Sequence, residues 1–110
     1  MFEKLTEEEL LIAHRDSHIK MSGELCVFNN TLNKLENHIK ELNKLYDDNI
    51  STDSFAYENL VDEVYSDTIF LRASYINICN VANTLVDEDG EIYARIAAGN
   101  QLEILRQKPE

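Results

Sequence analysis

Residues 21–46 read MSGELCVFNNTLNKLENHIKELNKLY, and they carry the most regular pattern in the chain. Apolar side chains recur there at alternating steps of four and three, at Met21, Leu25, Phe28, Leu32, Leu35, Ile39, Leu42 and Tyr46. This spacing predicts a long helix with an apolar seam, meaning a line of side chains along which two helices face each other.

The start of this helix is predicted at Thr6, because Thr6 and Glu9 have the spacing of a capping box. The apolar phase continues backwards from Met21 to His18, His14 and Leu11. We therefore expect one helix over about 6–47, with Gly23 as the expected site of any kink, since a glycine inside a helix costs about 1 kcal/mol.

A turn over 48–53 and a second helix over about 54–87 are predicted next. The turn is rich in Asp, Asn and Ser, and Asp53 or Ser54 can cap the helix that follows. The second helix has its own seam, formed by Tyr57, Val61, Val64, Thr68, Leu71, Tyr75, Ile78, Ala82 and Leu85. Two such helices predict an antiparallel, coiled-coil-like hairpin with Leu35 beside Thr68.

A shorter third helix is predicted over about 91–107, after a stop at Asp87, Glu88, Asp89 and Gly90. The chain is thus expected to be all-α and a single domain over 1–110. Apolar residues outside both seams are too many for a short third helix to cover. We therefore expect self-association into a helical bundle, with a homodimer as the simplest form and higher oligomers open.

The ends and the composition point to the cytoplasm, of a cell or of an infected host. The first residues contain acids where a signal peptide needs bases, and no apolar run is long enough for a membrane span. Two cysteines in the whole chain do not make a disulfide framework. No catalytic or cofactor-binding motif is present, so we expect no enzymatic activity and no cofactor.

The charge is strongly negative, with 21 acids against 10 bases and a formal net charge of −11. Direct binding to nucleic acid is disfavoured, because phosphate contacts need lysine and arginine. We expect a basic protein partner instead, bound at the hairpin tip, although acidity that only maintains solubility is the alternative. The candidate partner-binding residues at that tip are Asp47, Asp48, Asp53, Glu58, Asp62, Glu63 and Asp67.

One cluster could carry other chemistry. His14 and His18 are four residues apart and share a helix face, and the hairpin register brings them towards Asp87, Glu88 and Asp89. Two histidines with carboxylates could bind a divalent metal such as zinc. The alternatives are structural histidines, which we prefer, and a proton-sensing or catalytic role, so no metal is assigned.

Three functions follow from these observations. The first is a non-catalytic binding protein of the inhibitor, immunity, antitoxin or viral counter-defence type, docking on a basic partner. The second is a structural or scaffolding homo-oligomer. The third is a helical bundle that sequesters a small ligand or a metal.

Overall fold

The computed structural model describes Phe2, residues 4–48 and residues 54–99. Two helices account for almost all of these residues: α1 spans Glu7–Asp47 and α2 spans Phe55–Ala97. The described residues contain no strand, so the all-α prediction is confirmed. Over the same residues, neither helix has an apolar stretch long enough to cross a membrane.

The start of α1 confirms the predicted capping box. The backbone N–H of Glu9 donates to Thr6 Oγ1 at 3.0 Å, and the N–H of Thr6 donates to Glu9 Oε1 at 2.9 Å. Two of the N–H groups that an α-helix leaves without internal partners are thereby satisfied. From this cap α1 continues as helix through Gly23.

Ser54, which is one of the two predicted capping residues, caps the start of α2. Its hydroxyl oxygen accepts the N–H of Tyr57 at 3.1 Å, and its carbonyl accepts the N–H of Glu58 at 3.1 Å. The rest of the predicted turn, residues 49–53, lies outside the described residues.

The predicted third helix is wrong. The expected stop at Asp87–Gly90 is helical, and α2 runs through it to Ala97. Gly99, which has a positive φ of 87°, follows the true end of α2. Residues 100–107, where the third helix was expected to continue, lie outside the described residues.

Burial on the far side of Gly90 explains why the helix does not stop there. Ile92 is 6% exposed and packs against Leu10, which is completely buried. Burying an isoleucine side chain is worth about 1.5–3 kcal/mol, more than the cost of about 1 kcal/mol for a helical glycine. Arg95 adds a hydrogen bond from its NH2 group to the carbonyl oxygen of Phe2 at 2.6 Å.

The chain forms two compact units. The first unit combines the described parts of Met1–Gly23 and Ile78–Glu110, and the second unit is formed by Glu24–Asn77. In each unit a segment of α1 lies antiparallel to a segment of α2, as the hairpin prediction requires. The contacts that show this are His14 with Glu88 in the first unit and His38 with Asp67 in the second.

The interior of the second unit differs from the predicted seams by one residue at several positions. The predicted seam residues that are partly shielded are Phe28, Leu32, Leu35, Leu42, Val64 and Leu71. Other members of the predicted seams are exposed: Leu25, Ile39, Tyr46, Val61, Thr68 and Tyr75.

Neighbouring residues, several of them polar, take the interior places instead. Asp67 and Ser74 are only 5% and 3% exposed, and Thr31 and His38 are partly shielded. The apolar stripe of each helix is therefore covered only in part, and some of its members are exposed.

Candidate functional site

Exposed carboxylates mark the end of the second unit where α1 finishes and α2 begins. Asp47, Asp48, Glu58 and Asp62 are all exposed. None of the four forms an ion pair with another described residue. We call these four residues the acidic end. Asp53, the remaining candidate from the turn, lies outside the described residues.

Aromatic side chains lie beside the acidic end in the chain. Tyr46, which precedes Asp47, is 76% exposed, and Phe55, in the first turn of α2, is 77% exposed. Large exposed aromatic rings next to charges are typical of protein-binding surfaces, because the rings supply buried area and the charges supply orientation.

The last two predicted partner-binding residues have a different setting, because both face His38. Asp67 Oδ2 accepts a hydrogen bond from His38 Nδ1 at 2.5 Å, and the Asp67 side chain is only 7% exposed. Glu63 is 57% exposed and its Oε2 lies 3.7 Å from His38 Nε2. Asp67 is therefore an interior residue, whereas Glu63 belongs to the surface near the acidic end.

The environment of His38 raises its pKa above the usual 6.5. The hydrogen bond to Asp67 is the largest cause, and partial burial of the ring opposes it. The negative charges of Asp67, Glu63 and Glu41 raise the pKa further. The protonated imidazole is thus the form that this setting favours.

In the sequence His38 falls just beside the apolar seam of α1, and the pattern of apolar residues indicates no partner for it. A signal for the pair was nevertheless present, because Leu60, Asp67, Ser74, Val81 and Glu88 recur every seven residues. That spacing defines one side of a helix whatever the polarity of its members. A search for apolar positions alone passed over it.

The histidine cluster of the first unit is centred on His14. Its Nδ1 lies 3.1 Å from Glu88 Oε1 and its Nε2 lies 2.9 Å from Asp89 Oδ1. The ring of His18 meets it edge-on, with centroids 4.6 Å apart. The structure therefore brings together His14, His18, Glu88 and Asp89 of the predicted cluster.

Glu88 is the most buried member of this cluster. It is 2% exposed, and its second oxygen lies 3.1 Å from the hydroxyl of Ser17. Both carboxylate oxygens thus have a polar neighbour on α1, and the single hydroxyl proton of Ser17 is shared between Glu88 and the carbonyl oxygen of Ala13, which is also at 3.1 Å. The remaining candidate, Asp87, is exposed.

Among the described residues, no group of three or more His, Cys, Asp or Glu side chains has an arrangement that could hold a metal ion. Two carboxylates engage the two ring nitrogens of His14 directly. These contacts use the nitrogen atoms that a metal would need, so the geometry of the cluster is that of a structural hydrogen-bond network.

An apolar surface covers one side of the second unit. We call it the open face and define it by six exposed residues at helical spacing: Leu25, Ile39, Tyr46, Val61, Tyr65 and Ile69. A groove of about 470 Å³ lies on this side, lined by Phe28, Tyr65, Thr68, Ile69, Leu71, Arg72 and Tyr75. Residues of both helices line it, so the open face extends across the helix pair.

Comparison of the chain with protein-family models, with curated proteins and with solved structures gave no match.

Proposed function

We propose that the protein is a small, non-catalytic binding protein that docks on a basic protein partner through the acidic end. The observation that carries this proposal is the set of four exposed carboxylates, none of them paired with a base among the described residues. Proteins of the inhibitor, immunity, antitoxin and viral counter-defence type act in this way, and cytoplasmic action is part of the proposal.

Apart from Glu58, whose position in the first turn of α2 suits the helix dipole, the acidic end contributes little to the stability of the hairpin. Like charges within a Debye length of about 8–10 Å repel each other, and a mixture of both signs would serve solubility better. A basic surface removes this repulsion on binding and gains charge-assisted hydrogen bonds. The negative electrostatic field of these carboxylates also speeds association with a basic partner, so binding should weaken steeply as the salt concentration rises.

The exposed aromatic residues Tyr46 and Phe55 strengthen the proposal. A purely charged contact in water is worth little, because exposed ion pairs contribute only about 0–1 kcal/mol each. Buried aromatic rings supply most of the free energy in many interfaces. In such an interface the aromatic side chains supply affinity, and the neighbouring carboxylates orient the partner.

The test compares two double variants with the same change in net charge. Glu58→Lys with Asp62→Lys reverses two charges of the acidic end, whereas Asp16→Lys with Glu36→Lys reverses two exposed acids elsewhere on α1. Immobilised wild-type protein first captures the partner from native lysate, and the captured protein is then titrated against all three forms.

We expect the acidic-end variant to bind at least about tenfold more weakly and the control variant to bind within about twofold of wild type. Raising the salt from about 0.05 M to about 0.5 M should reduce the association rate of wild type strongly. Equal binding by the two double variants would contradict the proposal, because it would show that only the net charge matters.

A structural or scaffolding homo-oligomer is the second candidate. It is favoured by the sixteen large hydrophobic residues that are exposed, against four that are buried, among the described residues. Such a ratio is unusual for a chain that works alone in water.

A further inference from the structure

We propose that residues 91–97 form a detachable arm at the end of α2, and that Phe2 is the residue that holds this arm on the first unit. In the detached state α2 ends at Gly90, where the sequence has the composition of a helix stop. This inference goes beyond the proposed function, because the arm belongs to the first unit and the acidic end belongs to the second.

The first argument is that the helix is intrinsically weak at Gly90. A glycine inside a helix is less favourable than alanine, because it loses more backbone entropy. Apart from its chain neighbours and the local helix backbone, no described atom lies within 4 Å of the position that a Cβ atom on Gly90 would take. The packing of the first unit therefore does not require a glycine here, whereas a point at which the helix can end does.

The charges around Gly90 weaken the helix further. Four carboxylates lie within five residues, at Asp87, Glu88, Asp89 and Glu91. Asp87 and Glu91 are four residues apart, a spacing at which like charges destabilise a helix.

The contacts of these carboxylates divide at Gly90. His14 of α1 contacts Glu88 and Asp89, so the helix before Gly90 is held on α1 without the arm. Glu91 pairs instead with Arg95, and both of these residues belong to the arm. Separation at Gly90 therefore breaks none of these ion pairs.

Two side chains anchor the arm, and both meet Phe2. Ile92 is buried in an apolar cluster with Leu10, and Phe2 packs against that cluster. Arg95 is also buried, and its NH2 group donates to the carbonyl oxygen of Phe2 at 2.6 Å. Tyr93, which lies between the two anchors in the sequence, is 73% exposed.

Phe2 is in turn fixed from the side of α1. Its carbonyl oxygen accepts the backbone N–H of Leu5 at 3.0 Å, in the turn that leads to the Thr6 cap. The phenyl ring and the carbonyl of one residue thus serve both anchors of the arm. A displacement of Phe2 removes an apolar neighbour of Ile92 and an acceptor of Arg95 in the same step.

Detachment of the arm uncovers Leu10, which is completely buried when the arm is in place. The arm therefore covers the apolar cluster of the first unit, and the contacts of Phe2 control whether it does so. A change at Phe2 is transmitted in this way to the last two turns of α2.

Hydrogen exchange of the backbone amides, followed by NMR, tests the arm residue by residue. The proteins compared are wild type, Phe2→Ala, and Phe2→Ala combined with Gly90→Ala. Phe2→Ala combined with Gly23→Ala is the matched control, because Gly23 lies inside α1 and a Cβ atom there also meets no described atom within 4 Å.

We expect Phe2→Ala to speed exchange over residues 91–97 at least about tenfold and to leave residues 81–88 within about twofold of wild type. Adding Gly90→Ala should slow exchange of the arm again by about fivefold, which corresponds to the advantage of alanine over glycine in a helix. Adding Gly23→Ala should leave the arm unchanged.

Equal acceleration over residues 81–97 would overturn the proposal, because the end of α2 would then open as one piece without a joint at Gly90. Unchanged exchange in Phe2→Ala would overturn it as well. So would a recovery with Gly23→Ala as large as that with Gly90→Ala.

Arg95→Met is a second variant for the case that Phe2→Ala does not fold. Methionine keeps an apolar side chain at this position and removes the hydrogen bond to the carbonyl oxygen of Phe2. The same acceleration over residues 91–97 is expected, and exchange at the wild-type rate would count against the proposal. The acidic-end variants retain Phe2, Gly90 and Arg95, so binding of a basic partner is tested separately.

Discussion

Three of the four buried hydrophobic residues among those described, Leu10, Val81 and Ile92, belong to the first unit, and only Leu60 belongs to the second. The exposed apolar residues show the opposite distribution, with eleven of sixteen in the second unit. The same two helices thus supply a closed interior in one unit and an uncovered apolar face in the other. The comparison teaches that one apolar pattern can give a buried interior in one part of a hairpin and an exposed surface in another.

The polar interiors of the two units differ as well. In the first unit, Glu88 is bonded through both oxygens, to His14 and to Ser17. In the second unit Asp67 is bonded to His38, but the hydroxyl of Ser74, which is 3% exposed, has no hydrogen-bond partner among the described residues. Buried polar groups without partners are costly, so the interior of the second unit is the less complete of the two.

The largest expected effect comes from opening the closed interior. Leu10→Ala should lower the free energy of unfolding by about 3 kcal/mol, because Leu10 is completely buried and truncation leaves a cavity. Urea unfolding followed by circular dichroism measures the change.

Ile12→Ala is the control for this prediction. Ile12 is 43% exposed on the same helix, so its truncation should cost under about 1 kcal/mol. If the two substitutions cost the same, the interior of the first unit would be no better packed than its surface.

A smaller effect is expected from titration of His38. The pKa of His38 is raised in the folded protein, chiefly by the hydrogen bond to Asp67, so its protonated form stabilises the folded state. This contribution is fully present below the unfolded pKa of about 6.5, and it is lost as the pH rises through the higher folded pKa.

Urea unfolding of wild type and His38→Gln at about pH 6 and about pH 8.5 tests this sign. The stability difference between the two proteins should be larger at the lower pH. Glu41, Glu63 and Asp67 are the carboxylates that face His38, and Asp67→Asn should remove most of the pH dependence. A difference that grows towards pH 8.5 would show that the neutral ring is the favoured form.

The smallest effects are expected from substitutions of Ser17 and Ser74, which lie in the polar interiors of the first and the second unit. Ser17→Ala removes a hydroxyl that lies 3.1 Å from Glu88 Oε2, and should cost about 1 kcal/mol. Ser74→Ala removes a buried hydroxyl without a partner and should be neutral or stabilising by up to about 1 kcal/mol. Thermal unfolding of both variants provides the measurement, and a clear loss at Ser74 would reveal a contact that the single chain lacks.

The features that could be predicted from the sequence are those with local causes. The Thr6 cap depends on Glu9 three residues later, and the Ser54 cap depends on the start of α2 directly after it. The long α1 depends on a regular apolar spacing. Each of these signals lies within one or two turns of helix, where propensity and hydrogen bonding decide the outcome.

The end of α2 could not be predicted, because its cause is not local. Gly90 after three acids has the composition of a helix stop, but the contacts that keep the chain helical there involve Leu10 and Phe2. These residues are more than eighty positions away in the sequence. Local propensity is a weak preference, and tertiary packing outweighs it.

The candidate sites were predicted in part for a similar reason. The approach of His14 to Asp89 follows from the antiparallel register, which the seams indicated. The His38 and Asp67 pair was missed, because the apolar positions of each helix form a stripe two residues wide. Such a stripe does not show which of its two edges faces the other helix. Only the polar residues at every seventh position distinguish the two edges, and their polarity had suggested solvent.

The buried carboxylates Asp67 and Glu88 also affect which alignment of α2 along α1 is stable. If α2 moved by one heptad along α1, the place of Asp67 against His38 would be taken by Leu60 or Ser74. In the first unit, the place of Glu88 against His14 would be taken by Val81 or Arg95. Each alternative removes the carboxylate from its histidine, and the last one sets two bases face to face. A regular heptad pattern by itself permits such a shift of one helix along the other. The two contacts between a histidine and a buried carboxylate therefore favour one alignment of the helices over its neighbours.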